Sequence, residues 1–202
     1  MRTSYPLLCA LFLALAACGP KASDTQKPDG VDEPGAPTTA ANVEGPVRHY
    51  DAISKTAEAF TGALDISDVS PVGPNATPSI KISAATGLTY EANQVSTARG
   101  GDHVGIGMWA SFMPIPEDAD VVLYSVTNEH VDAKAPNGGL CGGGEKISFL
   151  ATASYGEDDG AKMMQIAAFS DPSWPPKKTP KLCGTFTYQL QTPAAPAAPA
   201  KP

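Results

Sequence analysis

The stretch Lys146-Ile147-Ser148-Phe149-Leu150-Ala151-Thr152-Ala153-Ser154-Tyr155 alternates, with Ile147, Phe149, Ala151, Ala153 and Tyr155 on one side. Successive residues of a strand point to opposite faces, so this period of two reads as a half-buried β-strand. Downstream, Asp159-Gly160 supplies residues that tolerate φ > 0 in a tight turn, and an apolar run resumes over 162–169. The two runs are therefore expected to pair as antiparallel neighbours.

The same alternation extends in both directions. Phe186, Tyr188 and Leu190 repeat it near the C-terminal end. In Val104-Gly105-Ile106-Gly107-Met108-Trp109-Ala110-Ser111-Phe112 every even position is apolar, which predicts a strand over 104–112. Further strands are expected around 62–68, 78–84, 87–92 and 120–131. Only residues 51–61 read as helical: Ile53, Ala57, Phe60 and Leu64 fall at near-helical spacing, and their shared face would cover one end of a sheet. The expected class is all-β, a small antiparallel barrel or sandwich with one short N-terminal helix. Residues 48–191 would form this domain, a normal size for a single core.

Both flanks differ in composition. Residues 18–47 contain Pro20, Pro28, Pro34, Pro37 and Pro46 and no aromatic residue before Tyr50. Such a segment buries too little apolar surface to offset its ordering entropy and is expected to be a disordered linker. Residues 192–202 repeat Ala-Ala-Pro and read as a disordered tail. At the N-terminus, Arg2 precedes an apolar run from Leu7 to Ala17, too short to span a bilayer, which needs about 20 residues. Residues 1–17 therefore read as a secretory signal peptide.

That run ends in Leu15-Ala16-Ala17-Cys18, which resembles the lipobox of bacterial lipoproteins. The resemblance implies cleavage before Cys18, acylation of that cysteine and attachment to a lipid bilayer. Gly19 stands where an Asp would favour inner-membrane retention, so the implied location is the cell envelope, at the outer membrane facing the periplasm. Of the four cysteines, Cys9 leaves with the signal and Cys18 carries lipid. Cys141 and Cys183 remain in an oxidising compartment, where a disulfide is expected. Closing that loop would stabilise the fold by about 4 kcal/mol. Two lone cysteines lack the Cys-x-x-Cys spacing of a metal site, and neither a metal nor a cofactor is assigned.

The formal net charge of −7 argues against a nucleic-acid partner, which would call for a basic surface. No GxSxG, SxxK, HExxH or P-loop pattern occurs. Glu129 and His130 are adjacent and would point to opposite faces of a strand, whereas His130 and Asp132 would share one. Asp102-His103 reads as turn polarity and Glu157-Asp158-Asp159 as a solvated hairpin tip. Two further segments are unusual. Asn137-Gly138-Gly139-Leu140-Cys141-Gly142-Gly143-Gly144 is too Gly-rich for regular structure. Asp171 to Lys181 combines Trp174 with Lys177, Lys178 and Lys181 in a proline-ordered loop.

A Cys141–Cys183 bond would bring their Cα atoms within about 4.4–6.8 Å and set both segments at one edge of the domain. Trp174, Lys177, Lys178 and Lys181 are the resulting candidate binding residues, for an envelope protein or an anionic glycan. The expected function is a non-catalytic binding or interaction module, with no catalytic residue assigned. Size, anchor, β-rich domain and lone disulfide also loosely resemble lysozyme-inhibitor lipoproteins, although their SGxxY and KGxxA segments are absent. Ser154-Tyr155 does not replace them. An envelope-assembly accessory protein or a hydrolase of envelope polymers would fit the same location, and the oligomeric state stays open.

Overall fold

A computed structural model describes residues 43–70, 77–156, 162–176 and 179–192. Eight of the described strands close an antiparallel barrel. They are β1 (Val43–Ala52), β2 (Leu64–Ser70), β3 (Ser79–Ala84), β4 (Leu88–Arg99), β7 (Asp120–Val131), β8 (Phe149–Tyr155), β9 (Met163–Phe169) and β10 (Leu182–Leu190). The two-residue strands β5 (His103–Val104) and β6 (Gly107–Met108) form a separate ribbon between β4 and β7. Each barrel strand pairs with the next along the chain, and β10 returns to β1, giving an up-and-down barrel. The run that alternates over 146–155 pairs with 163–169 in the expected sense, from Phe149↔Phe169 to Tyr155↔Met163. The Asp159-Gly160 turn lies outside the described residues.

The barrel interior is the main core, filled by Tyr50, Ile66, Ile82, Tyr90, Leu150, Ile166, Phe186 and Tyr188 among others. A second core sits on the outer face of β7, β8 and β9, where Val121, Leu123, Phe149, Ala151, Ala153, Ala167 and Phe169 are buried. The insertion between β4 and β7 folds back over this face through Val104, Trp109, Met113 and Ile115. β8 is therefore covered on both sides, which is why Leu150 is as buried as its neighbours Ala151 and Ala153.

The end where β1 leaves the barrel is closed by α1 (Lys55–Phe60), N-capped by Ser54, whose Oγ accepts the Ala57 N–H at 3.1 Å. Ala57 is fully buried, and Phe60 meets Phe186 edge-on at 5.9 Å. Behind the helix, the Thr61 and Tyr188 hydroxyls are 2.8 Å apart in the buried interior.

Four expectations are corrected. The linker does not run to residue 47: β1 begins at Val43 and pairs with β2 from Val43↔Ser70. Pro46 cannot donate to a ladder, and the register shifts between Glu44 and Val47 to accommodate it. Glu44 supplies polar pairing instead, accepting from Ser67 at 2.8 Å and facing Lys81 at 3.5 Å. The helix spans Lys55–Phe60 rather than 51–61, because Asp51 and Ala52 pair with β10 and Ile53 is left exposed.

The strand expected over 104–112 is a ribbon followed by one helical turn, α2 (Trp109–Phe112). Gly105, at φ 59°, takes the first central position of a two-residue turn, where glycine is favoured. Finally, the strand expected from Lys146 starts at Phe149, and Ile147 joins the barrel core while Phe149, Ala151 and Ala153 face the outer one.

Candidate functional site

Along β1, residues 48, 50 and 52 point inward; Ala52 reaches the end closed by α1, and Arg48 lies toward the other. The inward rows of the neighbouring strands continue in the same direction as Asp68, Ile80, Tyr124, Ser154 and Met164. There the barrel opens into a hollow of about 190 Å³ lined by Arg48, Tyr50, Ile66, Asp68, Ile80, Val122, Tyr124, Thr152, Ser154 and Met164. Its lining is mixed: Ile66, Ile80, Val122 and Met164 contribute apolar surface, and polar groups contribute somewhat more. Arg48 and Asp68 form an ion pair, Nη2 to Oδ1 at 2.8 Å, with both side chains about half exposed at the rim.

Two phenols project into the same space. Tyr50 is 6 % exposed and Tyr124 is 9 % exposed. Burial raises the pKa of each, opposed at Tyr50 by the positive charge of Arg48 and reinforced at Tyr124 by the negative charge of Asp68. Both therefore remain protonated hydrogen-bond donors over the ordinary pH range. The Tyr124 phenol lies against the Thr152 hydroxyl. Among the described residues no hydrogen bond reaches the Tyr50 hydroxyl. The ring is buried but the hydroxyl itself is open to solvent in the hollow, where it is free to donate.

Larger hollows exist, of about 340 Å³ beside Glu44, Lys81 and Glu91 and of about 380 Å³ beside Glu129, Gly138 and Gly144. The first lies over the polar outer face of β2, β3 and β4 and the second beside the Gly-rich segment at the closed end. Neither has two deeply buried phenols and an ion pair converging on one volume. No family model matches the chain, and no curated protein or solved structure is detectably similar to it.

The residues singled out from sequence lie toward the opposite end of the barrel. Cys141 and Cys183 are at disulfide distance, with Cα atoms 4.6 Å apart, and pack against the barrel core. Cys141 lies in the β7–β8 connection and Cys183 at the start of β10, directly after the 171–181 loop, so the Gly-rich segment and that loop do share one edge. Trp174, however, turns back onto the protein. Its ring stacks on Trp109 at 5.7 Å and also meets Phe149 at 5.4 Å and Phe169 at 5.7 Å.

Lys181 is paired with Glu145, whose carboxyl is held below its ordinary value by that hydrogen bond. Lys177 and Lys178 lie outside the described residues. In the Gly-rich segment Asn137, Gly138, Gly139, Gly142, Gly143 and Gly144 all take positive φ, so its glycines serve the chain path itself.

Beside that segment, Glu129 accepts the Ile147 N–H at 3.3 Å, and its second oxygen is buried without a partner among the described residues. Burial raises its pKa. The histidines do not converge: His49 pairs with Asp65 at 2.6 Å, His103 sits on the ribbon, and His130 lies on β7.

Proposed function

We propose that the chain is a lipid-anchored lipoprotein of the bacterial envelope whose barrel is a non-catalytic binding module, taking a small ligand in the open end. The convergence of Tyr50, Tyr124, Arg48 and Asp68 on one partly apolar hollow carries this reading. Pockets that hold small molecules combine apolar walls with a few placed polar groups, and the mouths of β-barrels are common places for them. The groups present here suit holding more than reacting. Arg48 and Asp68 neutralise one another, and the phenols are kept in their protonated form. The signal peptide and the Leu15-Ala16-Ala17-Cys18 segment support export and acylation at Cys18.

Two experiments test the two halves. In a bacterial host fed an alkyne analogue of palmitate, the chain is expected to take up label and Cys18→Ala to lose it; label retained by the variant overturns the anchor. For the barrel, native mass spectrometry of the protein extracted from its envelope in mild detergent is expected to reveal a small adduct at 1:1 stoichiometry. Thr152→Trp, which fills the hollow, should remove the adduct without unfolding the barrel by circular dichroism. An adduct that survives this substitution in a folded variant removes the open end as the site.

A further inference from the structure

Net charge is the first constraint on what the hollow accepts. One cation and one anion stand at its rim, so a ligand bearing a single charge is attracted by one and repelled by the other. Their mutual bond uses only part of their capacity. Arg48 gives Nη2 to Asp68 Oδ1, leaving the rest of a five-donor guanidinium and a second carboxylate oxygen for other partners. Half-exposed ion pairs of this kind are weak, so a ligand can open this one at little cost. A head group with its own ammonium and carboxylate restores both bonds at once.

Size and polarity give the second constraint. A cavity of about 150 Å³ lined by apolar side chains accommodates benzene. The hollow here, at about 190 Å³, has room for one ring or a branched aliphatic group and a short head. Ile66 stands across the ladder from Arg48 and Ile80 across from Asp68, and with Val122 and Met164 they offer apolar contact beside the ion pair, while the Tyr50 hydroxyl is free to donate. A ligand entering with its apolar part first leaves its head beside Arg48 and Asp68.

We infer that the ligand is a small zwitterion of the α-amino-acid type with an aromatic or branched aliphatic side chain. Its carboxylate meets Arg48 and Tyr50, its ammonium meets Asp68, and its side chain lies against Ile66, Ile80, Val122 and Met164. This assignment rests on the barrel mouth being a binding site, as proposed above.

Calorimetric titration of the mature lipoprotein in detergent tests the assignment, with L-phenylalanine and L-leucine as probes. 3-Phenylpropionate lacks the ammonium, phenethylamine lacks the carboxylate, and glycine lacks the side chain. At least one of the two amino acids is expected to bind at 1:1, with each one-charge analogue tenfold or more weaker and glycine without measurable heat. Arg48→Met and Asp68→Asn should each bring the amino acid down to the level of the analogue that lacks the matching charge. Tyr50→Phe should weaken it about threefold to tenfold.

Analogues that bind as tightly as the amino acids would overturn the zwitterion while leaving the hollow as the site. Absence of binding by every probe overturns the inference as well. The broader reading is then decided separately, by whether the adduct from the envelope is lost in Thr152→Trp.

Discussion

Trp174 is the residue for which sequence and structure suggest different roles, and replacing it with alanine separates them. Its indole is half-buried between Trp109, Phe149 and Phe169 and stacks on Trp109 with an interplanar angle of 19°. A large aromatic side chain buries roughly 150–250 Å² when fully covered. Half of that, about 100 Å² at about 25 cal/mol per Å², is worth about 2.5 kcal/mol. The stacked pair adds about 0.5–1.5 kcal/mol beyond area, so Trp174→Ala is expected to cost about 3–4 kcal/mol. For a domain of this size that is a fall in Tm of about 6–16 °C.

Urea denaturation measures the loss, and near-ultraviolet circular dichroism reports its cause. Only two tryptophans are present, so the coupled signal of the stacked indoles should vanish equally in Trp109→Phe and Trp174→Phe. A loss below about 0.5 kcal/mol, with the dichroism unchanged, would show that Trp174 does not hold the insertion against the barrel. It would also return the residue to the role of a presented binding side chain.

Reduction of Cys141–Cys183, which spans 42 residues, is expected to lower stability by about 4 kcal/mol in urea melts compared with and without dithiothreitol. Cys141→Ala/Cys183→Ala should be insensitive to the reductant; sensitivity in that variant would point to another thiol. For Glu129, burial raises the folded-state pKa, so the folded protein binds this proton more tightly than the unfolded chain. Stability from this group is thus present below the ordinary carboxylate range and lost as pH rises through the raised value. Glu129→Gln, which keeps an acceptor for the Ile147 N–H, should exceed the parent in Tm at pH 7 and converge with it near pH 4. An equal gap at both pH values would show that the carboxylate ionises in the fold without penalty. Tyr188→Phe should cost about 1 kcal/mol by deleting the hydrogen bond to Thr61, with the helical signal of α1 retained.

Strand content was legible because one physical constraint dominates it. Wherever a single face is buried, period two is written directly into the residues, as in Phe186, Tyr188 and Leu190 of β10. The constraint weakens where something else satisfies the backbone. In β1, Val43–Val47 carries little apolar surface and a proline, and it is held by its ladder to β2 and by the Glu44–Ser67–Lys81 contacts. Composition therefore resembles a linker where the fold has a strand. Over 104–112 an alternating pattern does not make a strand, because Gly105 turns the chain and the apolar residues of a short ribbon and one helical turn meet the same outer core. Barrel closure itself follows from the pairing of β10 with β1, three residue pairs between distant parts of the sequence. No local pattern encodes that contact.

The candidate site was hidden for a related reason. Each of its polar residues sits in an inward-facing row that begins apolar: Asp68 after Leu64 and Ile66, Thr152 and Ser154 after Leu150, and Arg48 before Tyr50 and Ala52. Read one strand at a time, these residues resemble ordinary strand ends reaching solvent. Read together, the rows turn polar toward the same end of one barrel, which requires knowing the register and direction of every strand. The signal available in sequence was the polar residue that keeps apolar parity, a position that a solvated strand end has no need to preserve. Trp174 misled for the opposite reason. An aromatic among prolines and lysines looks presented when its partners, Trp109 on the insertion and Phe149 and Phe169 on the barrel, are far away along the chain. The hydrophobic gain from covering the outer face of β7–β9 decides where that ring goes, and it leaves the open end of the barrel as the concave surface where an ion pair, two phenols and apolar side chains meet.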